Sequence, residues 1–236
     1  MDLAPRFVGR LGIADAVTVG NAALGFLAAA VAMVDISIAA QFVLLAAVFD
    51  GVDGVLARRY GGTPAGPYLD SLADVASFGV APAMLVIALA EDAAMSGLAA
   101  LVAFGIPSLF VAMAVVRLGL YTAYDADRTT TFGAPSTLAA TTLGAAVLAG
   151  IREPEIVLLI TAVFCYLMVT SIEYPDLLAR DALLMGIVHV FAVLIPGFQG
   201  GLFPVALLTL SLAYLLLGPW LYWGETERRR NEGKRS

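Results

Sequence analysis

Phe49–Pro82 reads FDGVDGVLARRYGGTPAGPYLDSLADVASFGVAP, and the reading of the chain turns on its four aspartates, Asp50, Asp53, Asp70 and Asp74. The first pair closes one long apolar run and the second opens the next. Ionisable side chains at membrane depth are costly and are functional-site candidates by default. Asp50 and Asp53 are three residues apart and Ala57 follows four later, so on a helix all three share a face. Asp70 and Asp74 are four apart, one helical turn, and also share a face. The connection Arg59–Tyr68 holds three glycines and two prolines and is short enough to make the two helices antiparallel neighbours. The aspartate pairs are therefore expected to face each other. Four carboxylates so close would repel strongly without cations between them. Hard oxygen ligands of this kind suit Mg²⁺ or Mn²⁺. Two divalent ions roughly 3.5–4 Å apart are the usual arrangement for phosphoryl chemistry.

Working outward, the flanking sequence is that of a membrane protein. Of 236 residues, 61% are hydrophobic and only 14% are charged, against about 25% charged in soluble domains. Mean hydropathy is +0.91. The apolar residues come in runs near the ~20 residues that cross the hydrocarbon core. Spans are expected near Ala14–Val34, Ile36–Ala57, Leu69–Ala90, Ala94–Tyr121, Pro135–Ile151, Ile156–Ser171, Ala182–Ile195 and Leu202–Trp223. The expected fold class is thus all-α, a polytopic bundle of about eight transmembrane helices. Met1–Arg10 is polar and reads as no cleavable signal peptide.

With an even number of spans both termini share a side. Placing that side in the cytoplasm puts Arg6, Arg10, Arg58, Arg59, Arg117, Arg128, Arg180, Arg228, Arg229, Arg230, Lys234 and Arg235 inside and only Arg152 outside, as the inside-positive rule asks. Residues 1–223 then form one membrane domain, and 224–236 a basic cytoplasmic tail. Trp220, Tyr222 and Trp223 suit an interfacial aromatic belt. The lone Cys165 reads as a small buried hydrophobe, since one thiol makes neither an internal disulfide nor a thiolate cluster. His189, the only histidine, falls mid-span and reads as an interhelical contact. The net charge is −6 with one lysine among thirteen basic residues; no nucleic acid is expected among the partners.

Small residues interleave the acids. Close helix packing or room for a ligand accounts equally for Gly51 and Ala73, whereas Gly54 and Gly66 read as ligand space. Arg58, at the end of the second span, is a phosphate contact or a topology anchor.

The pattern Asp50-x-x-Asp53-Gly54-x-x-Ala57-Arg58, seven residues, then Gly66-x-x-x-Asp70-x-x-x-Asp74 resembles the full signature of the CDP-alcohol phosphotransferases. Asp70–Ala83 (DSLADVASFGVAPA), Thr131–Ala139 (TFGAPSTLA) and Ser171–Pro175 (SIEYP) resemble the phosphatidylserine synthase branch, whose archaeal members, the archaetidylserine synthases, use CDP-archaeol in place of CDP-diacylglycerol. Leu120 and Thr122 stand where that branch carries a second arginine and an asparagine, and Gly133-Ala134-Pro135-Ser136-Thr137 departs from its Gly-Leu-Pro-x-Pro. These departures bear on the acceptor alcohol.

The resemblance implies a six-helix catalytic core, a multi-pass enzyme of the cell membrane with its site on the cytoplasmic side, and a homodimer. It implies that Asp50, Asp53, Asp70 and Asp74 hold two Mg²⁺ or Mn²⁺ ions and that Asp74 takes the proton of the attacking alcohol. Gly54, Ala57 and Gly66 leave room for cytidine, Arg58 contacts phosphate, and Thr18 and Asn21 approach the nucleotide. The substrates implied are a CDP-lipid, drawn from among the membrane lipids, and serine, whose carboxylate needs a cation. Arg117 is the candidate for that cation, with Arg128 in the same connection. The same transfer to inositol phosphate, glycerol phosphate, choline or ethanolamine is the alternative within enzymes. A cation transporter is the alternative outside them, and it predicts acids near the midplane and broken helices in both halves.

Overall fold

The computed structural model describes residues 5, 7–125, 130–175 and 179–221. Eight helical rods account for most of it. Helices α1 (Ile13–Ala32) and α2 (Ile36–Tyr60) pack as an antiparallel pair. The turn between them ends at Asp35, whose Oδ1 accepts from the Ser37 and Ile38 amides at 2.8 and 3.0 Å and caps α2. Helix α3 (Gly66–Asp92) widens into a π-helical turn at Val75–Val80, and α4 (Leu98–Asp125) ends in a second at Tyr121–Asp125. The rest are α5 (Ser136–Leu148), α6 (Pro154–Leu167), α7 (Ala179–Leu194) and α8 (Leu202–Leu221). The first four, and the segment Phe198–Trp220 that carries α8, are long and apolar enough to cross a membrane. The 20 residues of α1 rise about 30 Å at ~1.5 Å each, the thickness of the hydrocarbon core.

The expected spans coincide with these rods to within a few residues, but α5 has a different character from the one implied by counting it as a span. Every position except Thr137 and Leu148 is buried inside the bundle. A helix apolar on all sides suits a central rod as well as a lipid-facing one. Gly144 makes this possible against α2, since a Cβ there would stand 3.3 Å from Leu44 Cδ2 and 3.4 Å from the Ala40 carbonyl.

Four helices meet in one layer of the core, through Ala28 of α1, Val43 and Ala46 of α2, Phe78 and Ala81 of α3, and Ala140 of α5. Gly25 brings α1 against α3 backbone to backbone, with its would-be Cβ 2.6 Å from Ser77 Cα. The small residues of α3 are therefore used within the chain. Ala73, Ser77, Gly79 and Ala81 are buried and Ala76 is half-buried. His189 makes the interhelical contact expected of it, with Nε2 3.2 Å from Thr141 Oγ1 and Nδ1 3.3 Å from the Met185 carbonyl.

One element departs from an all-helical reading. Strand β1 (Thr130–Phe132) pairs antiparallel with β2 (Glu173–Pro175), Thr131 opposite Tyr174. Beyond it the Gly133 amide donates to the Ile172 carbonyl and the Ala134 amide to Leu167, both at 2.9 Å. Gly133 has φ +76°, and a Cβ there would collide with the Met168 carbonyl. The ribbon and this glycine fasten the start of α5 to the end of α6. The tail 224–236, Tyr222, Trp223 and Arg128 lie outside the described residues.

Candidate active site

Asp50 comes from α2, and Asp70 and Asp74 from α3 one turn apart. Each offers a carboxylate oxygen, and these oxygens all lie within 4.8 Å of one another. Carboxylates gathered this closely repel one another unless a proton or cation lies between them. Asp74 is 6% exposed, and its Oδ1 is buried with no hydrogen-bond partner among the described residues. A hard oxygen donor set with a bare buried oxygen is what a divalent cation requires, so the residues present fit the metal that the spacing called for.

Asp53, expected with Asp50, Asp70 and Asp74 to hold the metals, has a partner of its own. It stands outside the group of three, and its Oδ2 accepts a 2.6 Å hydrogen bond from Thr18 Oγ1 of α1. The hydroxyl satisfies one oxygen and turns that carboxylate toward α1. Thr18 is thus engaged by an aspartate. Asn21, one turn further along the same helix, is fully buried, and both its amide nitrogen and its oxygen lack partners among the described residues. A buried amide with nothing to bond is unfavourable unless a ligand or water completes it.

On the second helix Arg58 is exposed, and its guanidinium folds back along the helix, with Nη1 3.5 Å from where a Cβ on Gly54 would be. Ala57 is half-buried beside it. Gly66 opens α3. Arg117 of α4 is 8% exposed, lies 5.4 Å from the Tyr121 ring centroid and acts electrostatically on Asp74, Asp125 and Asp50. Its Nε is buried with no hydrogen-bond partner among the described residues. One π turn begins just after Asp74 and the other at Tyr121, one turn beyond Arg117, and Ser71 and Thr122 hydroxyls pair between these same two helices. Wide turns of this kind recur at functional sites.

A fifth acid went unread in the sequence. Asp15, 3% exposed in the first turn of α1, accepts from the Gly12 amide at 2.7 Å and from Thr63 Oγ1 at 2.8 Å. It staples the start of α1 to the α2–α3 connection, and its Oδ1 lies 3.4 Å from the place a Gly66 Cβ would take. The only local signal was an acid in a helix's first turn, which the helix dipole explains equally well.

Helices that cross a membrane, with buried carboxylates gathered at one end, define a membrane-embedded site for metal-assisted phosphoryl chemistry. The family model of the CDP-alcohol phosphatidyltransferases matches residues 11–196, and the chain belongs to that family. It is a multi-pass membrane transferase of phospholipid biosynthesis, acting on a CDP-alcohol and an alcohol acceptor. It is similar to the archaetidylserine synthase of Methanothermobacter thermautotrophicus, 30% identical over 169 residues, which is 70% of each chain.

Proposed function

We propose that this protein transfers the phosphatidyl or archaetidyl group of a CDP-activated lipid to the hydroxyl of L-serine and releases CMP. The observation that carries the reading is the bare, buried Oδ1 of Asp74 beside Asp50 and Asp70. The similarity to an archaetidylserine synthase supports the choice of serine and of an archaeol lipid.

Asp50, Asp70 and Asp74, with Asp53 beside them, would hold two Mg²⁺ or Mn²⁺ ions, which offset pyrophosphate charge and stabilise the leaving CMP. Asp74 receives the proton of the acceptor hydroxyl as that oxygen bonds to the lipid-linked phosphorus and the bond from phosphorus to CMP breaks. Gly54, Ala57 and Gly66 leave room for cytidine and ribose. Arg58 contacts phosphate. Asn21, whose amide has no partner among the described residues, bonds the nucleotide, while Thr18 acts on it through Asp53. Arg117 holds the serine carboxylate through its planar fork of donors, its charge already drawn toward Asp74.

The site faces the cytoplasm of the cell membrane on this reading, where CMP and serine are found. The acids lie at one end of the bundle with Arg58 and Arg117, while Arg152 reaches Ser37 at the start of α2. That one-ended gathering disfavours a cation path through the middle. A homodimer is implied by the family resemblance.

The test is an assay of purified protein in detergent with Mn²⁺, CDP-archaeol or CDP-diacylglycerol, and labelled serine, beside Asp74→Asn. Serine-dependent CMP release that disappears in the variant supports the reading. Release dependent on another alcohol keeps the mechanism and overturns the acceptor. Folded, metal-binding protein that releases no CMP with any alcohol overturns the proposal.

A further inference from the structure

Buried hydroxyls in this chain are mostly accounted for by their own helices. Thr18, Ser77, Thr142 and Thr161 each donate to the carbonyl four residues earlier. Ser136 cannot do so, because it is the first residue of α5 and Pro135 precedes it in an extended conformation. The N-cap is Pro135, which has no side-chain acceptor, so Ser136 stands one residue inside the helix. Ser136 is 0% exposed, and its Oγ is buried without a partner among the described residues. A buried hydroxyl left unbonded costs stability unless a ligand or water completes it; Thr131 and Ser211 hydroxyls share that state, and Ser136 differs from them in its level along the bundle.

Its position follows from the register of the helices around it. Gly144 of α5 meets Ala40 and Leu44 of α2, and Ala140 lies in one layer with Ala46 and Phe78. The two helices run antiparallel, so one turn back from Ala140 on α5 corresponds to one turn forward from Ala46 on α2. Those steps arrive at Ser136 and Asp50. On α3, Asp74 stands four residues before Phe78. This register sets Ser136 at the level of Asp50, whose carboxylate oxygen lies within 4.8 Å of one on Asp74, and α5 packs against both α2 and the π turn that follows Asp74. The β-ribbon and the Gly133–Ile172 and Ala134–Leu167 hydrogen bonds hold the start of α5 at this level.

We propose that Ser136 positions the acceptor alcohol, its Oγ–H donating to the nucleophilic oxygen whose own proton passes to Asp74 Oδ1. Two unpartnered buried oxygens, one a donor and one an acceptor, match the acceptor and donor capacities of a single alcohol hydroxyl. The inference rests on the phosphotransfer reading of the site but not on which alcohol is used.

The experiment compares Ser136→Thr with Ser136→Val, which have equal volume and differ by the hydroxyl, with Ser136→Ala as a third variant. CMP release is followed while acceptor and CDP-lipid are varied separately. The expected result is a fall of about 10–100-fold in kcat/KM for the acceptor in the valine and alanine variants. The KM for CDP-lipid should not change, and the threonine variant should retain most of the activity. Valine and threonine variants that behave alike, or a rise in the CDP-lipid KM in place of the acceptor effect, overturn the role of Ser136 alone when the wild-type protein is active. A wild-type protein that releases no CMP with any alcohol overturns this inference together with the reading beneath it.

Discussion

Thr18 Oγ1 donates to Asp53 Oδ2 at 2.6 Å, a polar link buried in the otherwise apolar seam between α1 and α2. Both residues are about 5% exposed, so water offers neither a substitute. The bond draws Asp53 toward α1 and leaves Asp50, Asp70 and Asp74 as the compact set.

Thr18→Val keeps the volume and removes the hydroxyl. It leaves a carboxylate oxygen buried and unpaired, at a cost of about 1–3 kcal/mol. The melting temperature in detergent is expected to fall, and to fall less for Thr18→Ser, which can restore the bond. A valine variant as stable as wild type would show that the contact contributes nothing.

The unequal placement of the acids predicts unequal metal binding. Asp50→Asn, Asp70→Asn and Asp74→Asn should each remove most of the stabilisation that Mn²⁺ gives in a thermal melt. Asp53→Asn should weaken Mn²⁺ binding by only about tenfold, as for a residue that orients ligands. Equal loss in all four variants would place Asp53 among the direct ligands.

Gly25 predicts a steric effect of definite sign. An added Cβ would lie 2.6 Å from Ser77 Cα and 2.7 Å from its amide nitrogen, and neither backbone atom can swing away. Gly25→Ala should destabilise by about 1–3 kcal/mol or more. Gly105→Ala in α4, where a Cβ meets nothing within 4 Å, is the control and should melt close to wild type.

Gly133→Ala combines strain with collision, at φ +76° and against the Met168 carbonyl. The expected outcome is a loosened β-ribbon and a displaced start of α5. Acceptor-dependent turnover should fall while Mn²⁺-dependent stabilisation persists, since the aspartates are on α2 and α3. Loss of both together would mean that the glycine supports the whole fold.

Spacing along one chain segment made the four aspartates, the all-helical membrane class and the approximate bounds of the helices legible. Hydrophobic run length reports membrane crossing directly, and a three- or four-residue interval places side chains on one helical face whatever surrounds it. The short connection after Tyr60 then left α2 and α3 little choice but to lie side by side. Arg58 and Asn21 could be singled out the same way, as polar residues in apolar surroundings.

The rest depended on which faces of distant helices meet, and no local interval encodes that. Asp53 is bound by Thr18, thirty-five residues away, so that contact could not be read from Asp50-x-x-Asp53. Asp15 looked like an ordinary first-turn acid until Thr63 was found against it. The α5 sequence is apolar all round, and only packing showed it to be the core of the bundle. Ser136 is an ordinary polar residue at a helix start in sequence, and only packing showed its hydroxyl to be buried without a partner among the described residues. The sequence by itself determined the chemistry available and the helices that carry it. Tertiary structure alone decided which oxygens were already bonded and which stayed bare, because each buried donor is satisfied or orphaned by neighbours that come from other helices.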